Sequence, residues 1–483
     1  MLNVSIIVLY LVAMLAFGWW GKTRTSTAAD YLVAGRRLGP VFYTGTMSAL
    51  VLGSASTVGG VGLGYEFGLG GIWLVVSIGV GVVLLSLLFA GRIQRLKIFT
   101  VTQMLTLRYG FSATRVSSIV MAVYTLMLVV TSTSAYAAIF TVLFGVDRLV
   151  GVLLGGIVVL IYSTIGGMWS ITLTDMVQFA LMTIGIILLM LPFSLAQAGG
   201  WAGLQARLDA SYFDFGSRGG EWVITQFIIF TFGLLIGQDI WQRVFTARSD
   251  EVARWGGVAA GVYVIIYGIA GALVGMAAAA LLPGIEMRDQ VFVALADQVL
   301  PVGIGGVVMA AGVAAMMSTA SGALIACATV TRVDILPLFG RRAPRDDDAA
   351  SNVERVFVAV LGTVAILITV FVDDVVAALT IAYNILVGGL LVSILGGLLW
   401  KRGTGAGAVA SMVVGTIGVL VGMVAHGVLA NEPIYYGLIG SAIAFVAVSL
   451  FSRPTDPKVQ EAWEARLHES RTADVTVDEA EAR

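Results

Sequence analysis

Apolar runs of about 20 residues, separated by short polar segments, recur along almost the whole chain. A run of this length crosses the hydrocarbon core of a bilayer as an α-helix. The pattern therefore predicts an all-α polytopic membrane protein with about 13 transmembrane helices. The predicted spans cover roughly residues 2–20, 42–69, 72–91, 116–144, 149–167, 170–192, 222–241, 256–282, 302–331, 354–372, 375–400, 405–429 and 434–452.

The amino-acid composition supports this class of protein and limits the cofactors, metals and partners to be expected. The chain is 58% hydrophobic and 12% charged, whereas soluble domains carry about 25% charged residues. Its net charge of −1 provides no attraction to nucleic acid. With one cysteine and two histidines, we expect no disulfide, no organic cofactor and no structural or catalytic metal centre. We expect one transmembrane domain over residues 1–452, followed by a charged, disordered or loosely helical cytoplasmic tail over 453–483.

Basic residues set the expected orientation. With the N-terminus outside, only Arg148, Arg207, Arg218 and Arg288 fall in external segments. Most of the remaining basic residues fall in or beside cytoplasmic loops or in the tail. We therefore predict a multi-pass protein of the plasma membrane with its N-terminus outside and its C-terminus inside.

Two spans are predicted to be interrupted. Ser48–Gly64 is dense in glycine, serine and threonine, and each glycine costs about 1 kcal/mol of helix stability relative to alanine. Thr231–Asp239 is a weaker case of the same pattern. Close packing of helices through small residues is the alternative explanation. Interrupted spans at corresponding positions of two five-helix halves indicate a secondary transporter with inverted repeats and a site near the midplane.

The ninth span carries oxygen ligands on one face. Ala315, Ser318, Thr319 and Gly322 are spaced i, i+3, i+4 and i+7, which places them on one side of a helix. Hard cations prefer oxygen ligands. The alternative is that both hydroxyls bond back to carbonyls of their own helix.

The fifth and sixth spans meet at Gly166 and Gly167, a pair that permits a tight turn at membrane depth. The helix that follows carries Thr174, Asp175 and Gln178 into the membrane. An ionisable residue there usually faces a cavity or an ion path.

Two sequence motifs identify a family resemblance. Tyr162-Ser-Thr-Ile-Gly-Gly-Met-Trp-Ser170 and Gly397–Ser411, with Gly407, Ala408 and the following Met412, resemble the two signatures of the sodium:solute symporter family. This family holds proline, pantothenate, sugar and choline carriers. The resemblance begins at Asp30-Tyr-Leu-Val-Ala-Gly-Arg36 and extends to about residue 450.

The resemblance implies a LeuT-type core of inverted five-helix repeats over about 42–192 and 222–400, with one extra helix before it and two after. It also implies sodium-coupled symport of a small organic solute by alternating access. Such a protein is a transporter and not an enzyme. Its partners are the solute, the sodium ion and the lipid bilayer, and sodium is the only metal implied.

The resemblance also implies a sodium site. Ala55, Val58 and Ala315 match positions whose backbone carbonyls bind sodium in the family, and Ser318 and Thr319 match the hydroxyl ligands.

Two further matches concern ion release and the solute. Asp175 matches an acidic residue near the cytoplasmic side that is implicated in sodium release. Thr57 stands where proline carriers have an acid, and this departure leaves the substrate open.

The sequence does not identify the solute. An amino acid or small organic acid is favoured, because helix N-termini hold a carboxylate with little side-chain charge. Asp239 keeps a cationic solute such as choline or a polyamine open, although it is equally placed to pair with Arg243. The candidate substrate-binding residues are Ser54, Ser56, Thr57, Tyr124, Thr131, Ser132, Gln226, Thr231, Gln238, Tyr383 and Asn384. Each is as readily explained as an interhelical packing residue.

Three other functional classes share parts of this pattern. A sodium-independent or proton-coupled facilitator would have the same fold. A transporter-like sensor would need an appended soluble domain, for which the tail is too short. A membrane enzyme would need a nucleophile–base arrangement that the spans do not offer. The sequence does not indicate an oligomeric state.

Overall fold

The protein, described by a computed structural model over residues 2–340, 347–372 and 375–468, is helical as predicted. Ten helices in these ranges are long and apolar enough to cross a membrane. A bent pair, Gly220–Ile236 with Gln238–Thr246, raises the number to eleven. This is fewer than the roughly 13 predicted, because several candidate spans are continuous across a kink or a tight turn.

The N-terminal half contains five helices of 12 residues or more and six shorter ones. These helices are α1 (Leu2–Lys22), α2 (Ala28–Val33), α3 (Pro40–Val51), α4 (Gly60–Phe67), α5 (Trp73–Leu88), α6 (Ala90–Arg95), α7 (Val101–Tyr109), α8 (Phe111–Phe144), α9 (Arg148–Met182), α10 (Leu191–Gln197) and α11 (Gly200–Arg207).

The C-terminal half repeats this mixture of short and long helices. They are α12 (Gly220–Gln226), α13 (Phe232–Ile236), α14 (Gln238–Thr246), α15 (Gly257–Leu281), α16 (Val291–Gln298), α17 (Ile304–Val330), α18 (Asp347–Thr369), α19 (Val375–Leu399), α20 (Gly405–His426), α21 (Glu432–Phe451) and α22 (Pro457–His468). Every residue of the most apolar stretch of α17 is buried, so this helix forms the centre of the molecule.

The predicted break in the second span is confirmed, and it lies in the first half of the Ser48–Gly64 segment. Helix α3 ends at Val51, and Leu52 leaves the helical region with φ −86° and ψ 52°. The chain resumes as a π-helical turn over Ala55–Gly59 that continues into α4. The freed carbonyls of Val51 and Leu52 accept hydrogen bonds from Ser56 Oγ and Thr57 Oγ1, at 3.1 and 3.3 Å. Hydroxyls of the following turn therefore stabilise the break.

The second interruption occurs at Gly237, whose extended backbone (φ −63°, ψ 132°) separates α13 from α14. The two parts of this span bend by 45°. Gly237 has no side chain where the Asp239 carboxylate and the Tyr124 hydroxyl approach, since a Cβ there would lie 2.9 Å from both groups. The weaker of the two predicted breaks is thus also present.

The glycine pair in α9 forms the expected sharp change of direction. Gly167 has φ 56° and ψ −139°, a conformation that a residue with a Cβ rarely adopts. A Cβ on Gly167 would lie 2.6 Å from the Tyr31 carbonyl, and one on Gly166 would lie 2.8 Å from the Lys22 backbone nitrogen. The turn therefore packs directly against the end of α1 and against α2.

A capped helix leads from α1 to the first interrupted span. Thr27 and Asp30 form a reciprocal capping box at the start of α2, and Asp30 also forms an ion pair with Arg37. Burial alone would raise the pKa of Asp30, but hydrogen bonds from Ser26 and Thr27 and the charge of Arg37 together lower it. Asp30 is therefore a charged structural residue of this connection.

The beginning of the C-terminal tail is more ordered than predicted. Residues 457–468 form α22, and Trp463 in this helix is 4% exposed. Its indole nitrogen donates to the Gly397 carbonyl at 3.1 Å, and Lys401 pairs with Glu464 at 3.0 Å. The charged composition of the tail did not predict this docked helix, because its position depends on one buried side chain, the indole of Trp463. Residues 469–483 lie outside the described part of the chain.

Candidate functional site

The two interrupted spans meet at a buried cavity of about 30 Å³. The first break supplies Gly53, Ser54, Ala55 and Ser56, and the second supplies Asp239. The other walls come from α3, α5, α8, α13, α14, α17 and α19. The remaining lining residues are Leu50, Val51, Ile78, Leu128, Ser132, Leu234, Ile240, Thr319, Leu379 and Tyr383.

Ser318 and Thr319 of α17 lie against the end of α3. Ser318 Oγ donates to the Ala49 carbonyl at 2.7 Å, and Thr319 Oγ1 donates to the Leu50 carbonyl at 2.5 Å. Gly53 permits this approach, because a Cβ there would lie 2.4 Å from Thr319 Oγ1. Two hydroxyls and several carbonyls thus converge beside the first break.

The residues expected to bind sodium are only partly brought together. The Ala315 carbonyl is shared by Ser318 Oγ at 2.8 Å and Thr319 Oγ1 at 3.5 Å, as back-bonding within the helix would produce. Ala55 and Thr319 line the same cavity. Val58 is 2% exposed and is not among the lining residues.

Asp175 forms a buried ion pair. Its Oδ2 accepts from Arg243 Nη2 at 3.0 Å and also from the Thr46 hydroxyl. The side chains of Asp175 and Arg243 are 0% and 1% exposed. Arg243 therefore pairs with Asp175 and not, as the sequence also allowed, with Asp239, because the guanidinium points across to α9.

Asp239 instead faces aromatic and hydroxyl groups. Its Oδ1 accepts from the Tyr124 hydroxyl at 3.0 Å. The rings of Tyr124 and Tyr383 meet edge to face with centroids 5.4 Å apart, and the Tyr383 ring lies 5.2 Å from that of Phe230. Two substrate candidates, Tyr124 and Tyr383, are therefore neighbours of the cavity carboxylate.

Three other candidates make hydrogen bonds away from the cavity. Thr57 Oγ1 lies 3.0 Å from the Tyr267 hydroxyl, and Thr231 Oγ1 donates to the Ser77 carbonyl at 2.7 Å, so both contact neighbouring helices. Thr131 Oγ1 donates to the Met127 carbonyl of its own helix, α8, at 2.8 Å. None of the three candidates lines the cavity.

The last three candidates lie in separate places. Gln238 accepts from the Val101 amide at 2.8 Å and donates to the Phe99 carbonyl at 2.9 Å, so it holds the start of α7. Gln226 lines a second cavity of about 70 Å³, together with Arg218 and Arg288 among others. Asn384 is fully buried, and its amide atoms have no hydrogen-bond partner among the described residues.

Sequence reasoning missed the partners of two candidates. Arg243 and Thr46 hold Asp175, and Tyr267 contacts Thr57. The sequence contains one signal for Arg243, because its spacing of four residues from Asp239 places both side chains on one side of α14. No feature of the sequence indicates its actual partner, Asp175, which lies on a distant segment.

Known proteins resemble the chain over most of its length. It is 25% identical, over 92% of its length and 94% of the relative, to the osmoregulated proline transporter of Bacillus subtilis. It is 24% identical, over 92% of its length and 95% of the relative, to the sodium/pantothenate symporter of Escherichia coli. A sodium-coupled sialic acid symporter, solved in a substrate-bound outward-open state, superimposes with a TM-score of 0.82 at 21% identity, covering 94% of this chain and 98% of that one.

The assignment to a family rests on a match that covers most of the chain. The model of the sodium:solute symporter family matches residues 31–415, a range that includes both interrupted spans and the buried cavity. The chain therefore belongs to the sodium:solute symporter family, and it is a sodium-coupled symporter of a small organic solute rather than an enzyme.

Proposed function

We propose that this symporter carries an amino acid or a small organic acid, which binds between the two interrupted spans and moves by alternating access. The observation that carries the proposal is the cavity lined by both breaks and by Thr319. A helix N-terminus beside a break offers backbone N–H groups to a carboxylate. Relatives that are proline and pantothenate symporters support the same class of solute.

The core would consist of inverted five-helix repeats over about 42–192 and 222–400, preceded by one helix and followed by two. Helix lengths support about 13 spans. The continuous helix Arg148–Gln197 has 50 residues, roughly 75 Å at 1.5 Å per residue. A bilayer core is about 30 Å thick, so the kink at Gly167 divides two spans. The tight turn over Gly68–Ile72 divides Ala55–Leu88 in the same way.

The sodium ion would bind at Ser318, Thr319 and Ala315, with the carbonyls of Ala55 and Val58 completing the shell. In this arrangement each hydroxyl turns a lone pair toward the ion, and its proton stays available to a backbone carbonyl. Convergence of uncharged oxygens suits a monovalent hard cation, since full charges are not required.

Asp175 would lie on the exit path of sodium. Arg243 holds its carboxylate in the present conformation. When the cytoplasmic side opens and this pair separates, the carboxylate becomes available to a departing ion. The inside-negative potential adds roughly 2.3 kcal/mol per charge per 100 mV to inward movement.

We place the protein in the plasma membrane with its N-terminus outside and its C-terminus inside. The excess of arginine and lysine in the predicted cytoplasmic loops supports this orientation. Three of those residues, Arg341, Arg342 and Arg345, lie outside the described ranges.

A second candidate function is transport of a cationic solute such as choline or a polyamine. It is favoured by one observation, a carboxylate in the cavity wall at Asp239. The test is uptake of radiolabelled amino acids, small carboxylates, choline and polyamines into proteoliposomes that hold the full chain, with an inward sodium gradient and with potassium in its place. Sodium-dependent uptake of an amino acid or carboxylate supports the first proposal. Uptake that is indifferent to sodium would indicate a facilitator instead.

A further inference from the structure

The cavity has a carboxylate without a cationic partner among the described residues. Asp239 is 4% exposed, lies directly after the break at Gly237 and lines the cavity. Its Oδ1 accepts a hydrogen bond from Tyr124 at 3.0 Å. This hydroxyl and the backbone amides of Asp239 and Ile240 stabilise the carboxylate, but these neutral groups supply no counter-charge.

Arg243 is the nearest candidate to neutralise Asp239, because it lies one turn further along α14. Its guanidinium is instead bonded to Asp175 Oδ2 at 3.0 Å. Two buried carboxylates therefore share one guanidinium, which leaves one negative charge in excess within this part of the described structure. An uncompensated charge inside a membrane protein is costly and is usually paired with a cation.

The surroundings of Asp239 suit an organic ammonium group. Tyr124 and Tyr383 present their rings beside it, edge to face at 89°. Aromatic rings attract ammonium groups held over their faces. Gly233 brings Tyr383 close, since a Cβ on this glycine would lie 2.2 Å from the ring. Of the residues expected to bind sodium, Ala315, Ser318 and Thr319 belong to α17, and Ala55 and Val58 follow the first break. Thr319 and Ala55 line the same cavity as Asp239, on other segments of its wall.

From this geometry we infer that Asp239 and Tyr383 form an ammonium subsite, so that the transported solute carries a protonated amine. The inference deepens the proposed function and rests on it, because it assumes that the solute enters this cavity. Among small organic acids it selects amino acids over carboxylic acids that lack an amine. It also accommodates a diamine or quaternary amine, for which the carboxylate contact is the same.

The experiment compares matched pairs of probes on the purified full chain. The amine members are L-proline, L-alanine and putrescine, and their counterparts without an amine are tetrahydrofuran-2-carboxylate, lactate and 1,4-butanediol. Thermal stabilisation is titrated at constant sodium without a gradient. We expect at least one amine member to stabilise the protein at a concentration at least about tenfold lower than its counterpart.

The variant Asp239→Asn should weaken that amine response by at least about tenfold while stabilisation by sodium alone is retained. Asp209→Asn, at an exposed position between α11 and α12, is the matched control and should match the wild type. If Asp239→Asn fails to fold, Tyr383→Leu keeps the carboxylate and should still weaken the amine response several-fold.

Three results would overturn the subsite: no response to any amine member, equal response to both members of each pair, or loss of the sodium response in Asp239→Asn with amine binding unchanged. The last would identify sodium as the partner of Asp239. Amine binding without sodium-dependent uptake would contradict the proposed function but support the subsite, because the binding assay contains no gradient.

Discussion

Arg243 Nη2 lies 3.0 Å from Asp175 Oδ2, and neither side chain is more than 1% exposed. The pair joins α14, which follows the second break, to α9, and Thr46 of α3 joins it from the first interrupted span. Three segments that border the candidate site are thus linked through one carboxylate. Separation of these segments toward the cytoplasm would require this pair to open.

Removing one member of the pair should destabilise the protein. Asp175→Asn removes the carboxylate that is hydrogen-bonded to the buried Arg243 guanidinium and leaves only Asp239 nearby without a direct contact, so the loss is up to about 3–5 kcal/mol. The double variant Asp175→Asn/Arg243→Gln should recover part of this loss. Both effects are measurable as thermal unfolding and as the yield of monodisperse protein in detergent.

The exit-path hypothesis makes a separate prediction for the same variant. Per folded molecule, Asp175→Asn should bind solute almost normally but show slower turnover and weaker apparent sodium affinity. Initial uptake rates across a sodium titration, normalised to folded protein, test this. A wild-type sodium curve would leave Asp175 a purely structural residue.

Ser318→Ala and Thr319→Ala should each raise the sodium concentration for half-maximal uptake by about tenfold, the effect of losing one oxygen ligand worth about 1.4 kcal/mol. Thr331→Ala is a suitable control, because its hydroxyl donates to the carbonyl of Cys327, one turn earlier along the chain. Unchanged sodium dependence in both α17 variants would remove these hydroxyls from the ion site.

Gly53→Ala should impair sodium binding through packing. Its Cβ would lie 2.4 Å from Thr319 Oγ1, so the helices must move apart at a cost of about 1–3 kcal/mol. Gly59→Ala, whose Cβ would lie 3.2 Å from a Val376 methyl, should be tolerated. The comparison uses unfolding temperature with and without sodium. Equal behaviour of the two variants would show that the Gly53 contact has no special role.

Orientation is testable with single cysteines in a Cys327→Ser background, because Cys327 is the only cysteine and is buried. A cysteine at Asp209 should react with an impermeant maleimide added to whole cells. A cysteine at Glu461, on the exposed side of α22, should react only after permeabilisation. Labelling of position 461 from outside would reverse the assigned topology.

Local composition predicted the interrupted spans, but their exact positions depended on tertiary contacts. Glycine and hydroxyl residues over Ser48–Gly64 weaken a helix, yet the break settles at Leu52–Ser54. There, hydroxyls of α17 donate hydrogen bonds to backbone carbonyls of α3. Spacing placed Ser318 and Thr319 on one face, whereas only the fold shows which carbonyls they meet.

Pairings between distant segments could not be predicted from the sequence. Asp175 and Arg243 are 68 residues apart, and nothing in either segment specifies the other. Gln238 illustrates a different limit, because a polar residue at a break suggests a ligand contact although its amide holds the start of α7. One sequence cannot distinguish these two uses of a buried amide.

The docking of α22 has a consequence for the order in which parts of the chain fold during synthesis. This helix leaves the ribosome after every membrane span, and its docking surface consists of α6, α7 and the end of α19. Those segments come from different parts of the chain, and N-terminal parts fold first during synthesis. Burial of Trp463 is therefore possible only after the transmembrane domain has assembled.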